Sequence, residues 1–78
     1  MQELIKYIAR SLVDDPTQVK VTQRQHGSTT NIRLRVAKED MGRVIGRNGR
    51  VANAMRILLR VAAARNDKKA KLDIVEPE

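Results

Sequence analysis

Gly46-Arg47-Asn48-Gly49 is the stretch of this chain whose residue types and spacing point to chemistry rather than packing. Two glycines bracket a basic and an amide side chain, Arg43 and Arg50 stand just outside, and the apolar pair Val44-Ile45 leads in. Glycine permits a positive φ, and its missing side chain lets another backbone come close. If one helix ends at Gly46 and another begins after Gly49, the N–H groups and dipole at the start of the second favour an anion. Arg47 and Arg50 supply counter-charge. The chemistry is then non-covalent: a phosphate held by backbone amides and guanidinium groups. The structural alternative is a glycine cap and a bend with no ligand.

Other glycine motifs fit poorly. A nucleotide phosphate loop would need Lys-Ser or Lys-Thr after its last glycine, and Arg50-Val51 follows here. The dinucleotide pattern needs GxGxxG after a strand, whereas Gly42, Gly46 and Gly49 are spaced otherwise and follow a helical pattern. Catalytic sets are missing too. His26, the only histidine, sits beside Gly27 in an expected turn, and the adjacent Asp14 and Asp15 suit a helix-end turn or cap. With no cysteine, no metal-ligand cluster and no nucleophile–base pair, neither an enzyme nor a metal or cofactor is expected.

Charge and aromatic content narrow the ligand. The net charge is +7, and residues 40–65 hold six arginines against one acid. Arginine's planar fork suits phosphate, so a phosphate-rich partner is expected. There is no Trp or Phe, and the single Tyr, Tyr7, is expected in the core. Binders that stack bases on aromatic platforms are therefore excluded. What remains is a binder that clamps backbone with glycines and seats bases in an aliphatic groove.

The elements that must position this segment follow from the apolar pattern. The 78 residues make one domain with a small core. Leu4, Ile5, Ile8 and Leu12 give an amphipathic helix stopping near Asp14-Asp15-Pro16. Val19 and Val21 begin one strand, and Ile32, Leu34 and Val36 alternate with Arg33 and Arg35 in a second. Gly27-Ser28 turns between them. Met41, Val44 and Ile45 mark a short helix ended by Gly46, and a longer one runs to about Arg65. Leu72-Asp73-Ile74 makes a last strand before a frayed Glu76-Pro77-Glu78 end. The order is α-β-β-α-α-β, a two-layer α+β domain. No apolar run approaches the roughly 18 residues of a membrane span, and the N-terminus lacks a secretory pattern, so a cytoplasmic protein is expected.

"VIGRNGR" between two helices, after a hairpin and before a last strand, resembles the KH domain in its type II order. The length and "GRVIGRNGR" are similar to the small single-domain bacterial KhpA proteins. The resemblance implies a three-stranded sheet with helices on one face over residues 1–78. It also implies a cytoplasmic RNA-binding module, often paired with a larger KH-containing protein. It puts Gly46, Arg47, Asn48 and Gly49 on the clamp and Ile45 on the apolar position before it. One departure is Ala52, where many KH domains carry Ile, which implies a shallow base groove of low selectivity.

Single-stranded RNA backbone is thus expected along Gly46–Gly49, with single-stranded DNA as an alternative ligand. Arg43, Arg47, Arg50, Arg33 and Arg35 are placed at phosphates, Asn53 beside them, and bases against Val44, Ile45 and the second strand. The role expected is post-transcriptional regulation or RNA chaperoning with a partner. Two alternatives stay open: a protein-interaction module whose glycine turn is only structural, and a helix-turn-helix-like DNA binder reading through Asn53 and Arg56. On the long helix, Val51, Ala54, Met55, Leu58, Val61 and Ala62 are expected to cover the sheet. Ile57, Leu59 and Ala63 fit that stripe poorly, so some should be exposed. Ile57, flanked by Arg56 and Arg60, is predicted near the axis of a weak dimer.

Overall fold

The structure, a computed structural model, describes residues 1–75. The expected frayed end, 76–78, lies outside the described residues. Helix α1 (Gln2–Leu12) buries Ile5 and Ala9 one turn apart, while Leu4 and Leu12 lie at the margin of the contact. Tyr7 is 66% exposed, not in the core as its apolar ring suggested. Lying two residues after Ile5, it is rotated about 200° from the buried face.

Strands β1 (Lys20–His26) and β2 (Thr29–Arg35) form an antiparallel hairpin, and Gly27 takes φ 59° in the two-residue turn. Strand β3 (Lys69–Val75) pairs parallel with β2, so β2 is central in the order β1-β2-β3. Alternation along β2 sends Thr30, Ile32 and Leu34 into the core and Arg33 out. All three helices cover the inner face, as expected for this α+β order. Among the described residues, Ile5, Ile32, Leu34, Val36, Val44, Met55 and Leu59 are the largest fully buried apolar side chains, and Leu72 joins them in the core.

A parallel neighbour requires a crossover, which α2 (Met41–Ile45) and α3 (Arg50–Ala64) provide. The buried face of α3 is Ala52, Met55, Leu59 and Ala63. This corrects the expected stripe: Leu58 and Val61 are 49% and 52% exposed, and Leu59 and Ala63 are fully buried. Apolar residues occur on every side of this helix but that of Asn53, Arg56 and Arg60, so periodicity alone does not choose the inward face. The small side chains of Ala52 and Ala63 occupy positions where α3 lies against its neighbours. The helix closes with Lys68 N–H donating to Ala63 O (2.9 Å) and Asp67 N–H to Ala64 O (3.1 Å), with Asp67 at φ 54°. The chain then turns straight into β3.

A long-range polar contact fixes the end of α1 against α2. Asp40, only 2% exposed, accepts the backbone N–H of Asp14 through Oδ1 (3.1 Å) and that of Asp15 through Oδ2 (3.2 Å). Arg43 reaches both Asp14 Oδ2 (3.0 Å) and Asp40 Oδ1 (3.5 Å). Asp15 in turn caps the short turn Pro16–Gln18 by accepting from Thr17 N–H. Charge-assisted bonds of the Asp40 kind are worth about 1.5–3 kcal/mol, whereas an exposed ion pair is worth under about 1 kcal/mol. Asp40→Ala is therefore expected to lower unfolding stability by about 2 kcal/mol in urea titrations, and Asp14→Asn by less than about 0.5 kcal/mol.

Candidate nucleic-acid interface

Gly46 ends α2: its N–H donates to Gly42 O at 2.9 Å, and its own φ and ψ are 76° and 173°. Side chains disfavour this region, and space forbids one as well. A Cβ on Gly46 would stand 2.5 Å from Val51 Cγ2 and 2.9 Å from Val51 N. Arg47–Gly49 then forms a short 3-10 turn closed by Gly49 N–H on Gly46 O at 3.2 Å. Asn48 (φ 57°) and Gly49 (φ 76°) are both left-handed, a conformation Asn tolerates better than most residues. Gly49 starts α3 without a side-chain cap. The turn therefore juts out with Arg47, Asn48 and Arg50 exposed at an uncapped helix start, a ready anion site.

Beyond the turn, α3 and the outer edge of β3 enclose an open groove of about 700 Å³. Because β3 returns alongside α3, basic residues line both walls: Arg56 and Arg60 from the helix, Lys68, Lys69 and Lys71 from the strand side. Asp73 is the one acid among the lining residues, and Ala64, Ala70 and Leu72 contribute apolar surface. Arg56 bridges the walls. Its Nε donates to Leu72 O (3.3 Å) and its Nη1 to Asn53 Oδ1 (3.3 Å). This fixes one guanidinium in place and orders Asn53 on the helix face between turn and groove.

The structure redistributes several expected site residues. Gly46, Arg47, Asn48, Gly49, Arg50 and the 37% exposed Ile45 do gather at the turn. Val44 is fully buried beneath them and has no surface to offer a base. Arg43 faces Asp14 and Asp40, which already neutralise it. Arg33 and Arg35 alternate outward from Ile32 and Leu34, so they lie on the face of the sheet away from the helices. The strand that walls the groove is β3, not β2, because β3 takes the edge next to α3. Arg56 and Arg60 line the groove. Lys68, Lys69 and Lys71 are the site residues that sequence reasoning missed. The available signal was the basic run after Asp67, which lies just past the arginine-rich window.

Comparison with known proteins agrees with this geometry. The model of the KhpA/KhpB KH domain matches residues 2–74. The chain belongs to the KhpA/KhpB KH-domain family. Relatives with the name RNA-binding protein KhpA include that of Listeria monocytogenes serovar 1/2a, 46% identical over 97% of this chain and 100% of the relative. That of Treponema pallidum is 45% identical over 96% of this chain and 94% of the relative. That of Caldanaerobacter subterraneus subsp. tengcongensis is 44% identical over 96% and 100%. The resemblance carried by "VIGRNGR" thus extends over nearly the whole chain and its α+β order.

Within this KH domain the two glycines of the turn are unequal. Gly46→Ala meets both a forbidden conformation and the backbone of Val51, whereas a Cβ on Gly49 meets only Asn53 Nδ2 at 4.0 Å. Denaturant unfolding should show a loss of about 3 kcal/mol for Gly46→Ala. Gly49→Ala should lose about 1 kcal/mol, from its left-handed φ alone.

Proposed function

We propose that this chain is an RNA-binding module in which the Gly46–Gly49 turn holds single-stranded backbone and the α3–β3 groove receives the bases. The observation that carries this reading is that one helix, α3, starts at the exposed, uncapped turn and then walls a basic groove, with Asn53 and Arg56 hydrogen-bonded between the two. Phosphate meets Arg47, Arg50 and the amides at the start of α3. Bases then lie over Ala64 and Ala70 between Arg60 and the lysines of the strand side. The relatives' name, RNA-binding protein, agrees with it. The shallow wall formed by alanines and the absence of a stacking ring imply low base selectivity. Such a module suits a post-transcriptional regulator or RNA chaperone in the cytoplasm rather than an enzyme. Single-stranded DNA offers the same phosphates and would compete.

Charge placed against phosphate tests the clamp. Arg47→Asp with Asn48→Asp puts like charge in an exposed turn, so RNA affinity should fall at least tenfold while stability changes by no more than about 0.5 kcal/mol. For wild type, neutralising about three phosphates gives a slope near −2 in log affinity against log salt. Affinity retained in the double variant, or binding independent of salt, contradicts the clamp.

We also infer that two copies pair through α3. Ile57 is 57% exposed and is joined on the same outward face by Leu58 and Val61. An apolar stripe opposite a helix's buried face suits a two-fold contact with the same helix of a second chain. It differs from the expected interface, since Arg56 and Arg60 turn aside into the groove and leave it open. The same stripe would serve a larger KH-containing partner. Sedimentation should show a concentration-dependent dimer that Ile57→Asp abolishes; a monomeric wild type at high concentration rules it out.

A further inference from the structure

The sheet's outer face carries charge that the groove does not use. Lys20, Arg24, Arg33 and Arg35 project there from the hairpin, while Lys71 and Asp73, the one acid among the described residues of this face, stand at the β3 edge and border both this surface and the groove. The strand register sets Lys20 directly opposite Arg35. Like charges opposed across a sheet destabilise it. None of these four hairpin cations makes an ion pair among the described residues, including Arg33, although Asp73 is its partner in the parallel register. In addition, Arg35 Nε is buried without a hydrogen-bond acceptor among the described residues. A buried guanidinium N–H without an acceptor is costly. The fold tolerates mutual repulsion on this surface, and a polyanion resting there removes it.

We propose that this outer face is a second RNA surface, one that holds the backbone of a helical RNA segment while the groove holds a single strand. It rests on RNA being the ligand of the groove. The face is broad, its hollows are lined mainly by charged and polar side chains, and it has no Phe, Tyr or Trp on which unpaired bases could stack, His26 at its hairpin end being the single ring among the described residues. Recognition there is by phosphate charge, the mode proteins use on A-form helices. None of the four hairpin cations lines the groove, and the two surfaces meet only at the β3 edge, at Lys71 and Asp73, so both can be occupied together. One chain then brings a stem and an unpaired segment into proximity.

The test uses the full chain, a blunt RNA duplex of roughly 16 base pairs and a short uridine oligomer. K20Q/R24Q/R33Q changes only exposed side chains and relieves repulsion, so its melting temperature should equal or exceed that of wild type. It should bind the duplex about tenfold more weakly, with a salt slope shallower by about 2–3, and bind the oligomer as wild type does. R47D/N48D should show the reverse, and wild type alone should co-precipitate one labelled probe with the other. Unchanged duplex affinity and slope in K20Q/R24Q/R33Q would overturn the proposal. So would wild type that ignores the duplex but binds phosphatidylglycerol vesicles through the same three residues. Oligomer binding retained by R47D/N48D contradicts the groove reading instead, and is read separately from the duplex result.

Discussion

The close approach of Gly46 to the first turn of α3 is the constraint on which the functional end of this domain depends. With Val51 N only 2.9 Å from where a Cβ would sit, no side chain fits between the end of α2 and the start of α3. That approach forces the chain to reverse within three residues. The left-handed Asn48 and Gly49 complete the reversal and leave Arg47 at its outermost point. It also sets the direction of α3. Once its first turn is docked, Met55 and Leu59 drop into the core, and Arg56 is brought within hydrogen-bond distance of β3. Turn and groove are thus consequences of one packing contact rather than two independent features.

The opposite end of α2 is held differently. A buried carboxylate, Asp40, substitutes for a neighbouring strand or helix by accepting two amides from the chain after α1. This explains why Arg43, the first arginine of the basic segment, serves the fold. It lies where two acids already claim its charge, while Arg47 and Arg50, one and two turns on, meet no acid within ion-pair distance among the described residues. Position relative to Asp40 separates a structural arginine from those free to meet a ligand.

How much of this was legible follows from the same physics. Strand β2 could be read directly, because a sheet buried on one face imposes strict alternation: Ile32 and Leu34 in, Arg33 out. The turn could be read because Gly-x-Asn-Gly between helical patterns leaves few conformations. The face of α3 could not. A helix with Leu58, Leu59, Val61 and Ala63 has apolar residues on every side but that of Asn53, Arg56 and Arg60, and only the docking at Val51 chooses among them. The groove was hidden for a related reason. Whether Lys68, Lys69 and Lys71 or Arg33 and Arg35 stand beside α3 depends on strand order, which local periodicity does not encode. Likewise the Asp14–Asp40 contact spans 26 residues and leaves no local mark.

The central claim is that turn and groove form one continuous surface for single-stranded RNA. Amide chemical shifts recorded while a short uridine oligomer is titrated into the protein test it most directly. The account predicts coordinated shifts at Gly46–Arg50, along the Asn53, Arg56 and Arg60 side of α3, and at Lys69–Leu72, saturating with a single affinity. Shifts confined to α1, or to the Ile57, Leu58 and Val61 stripe with the glycine turn unmoved, would contradict it.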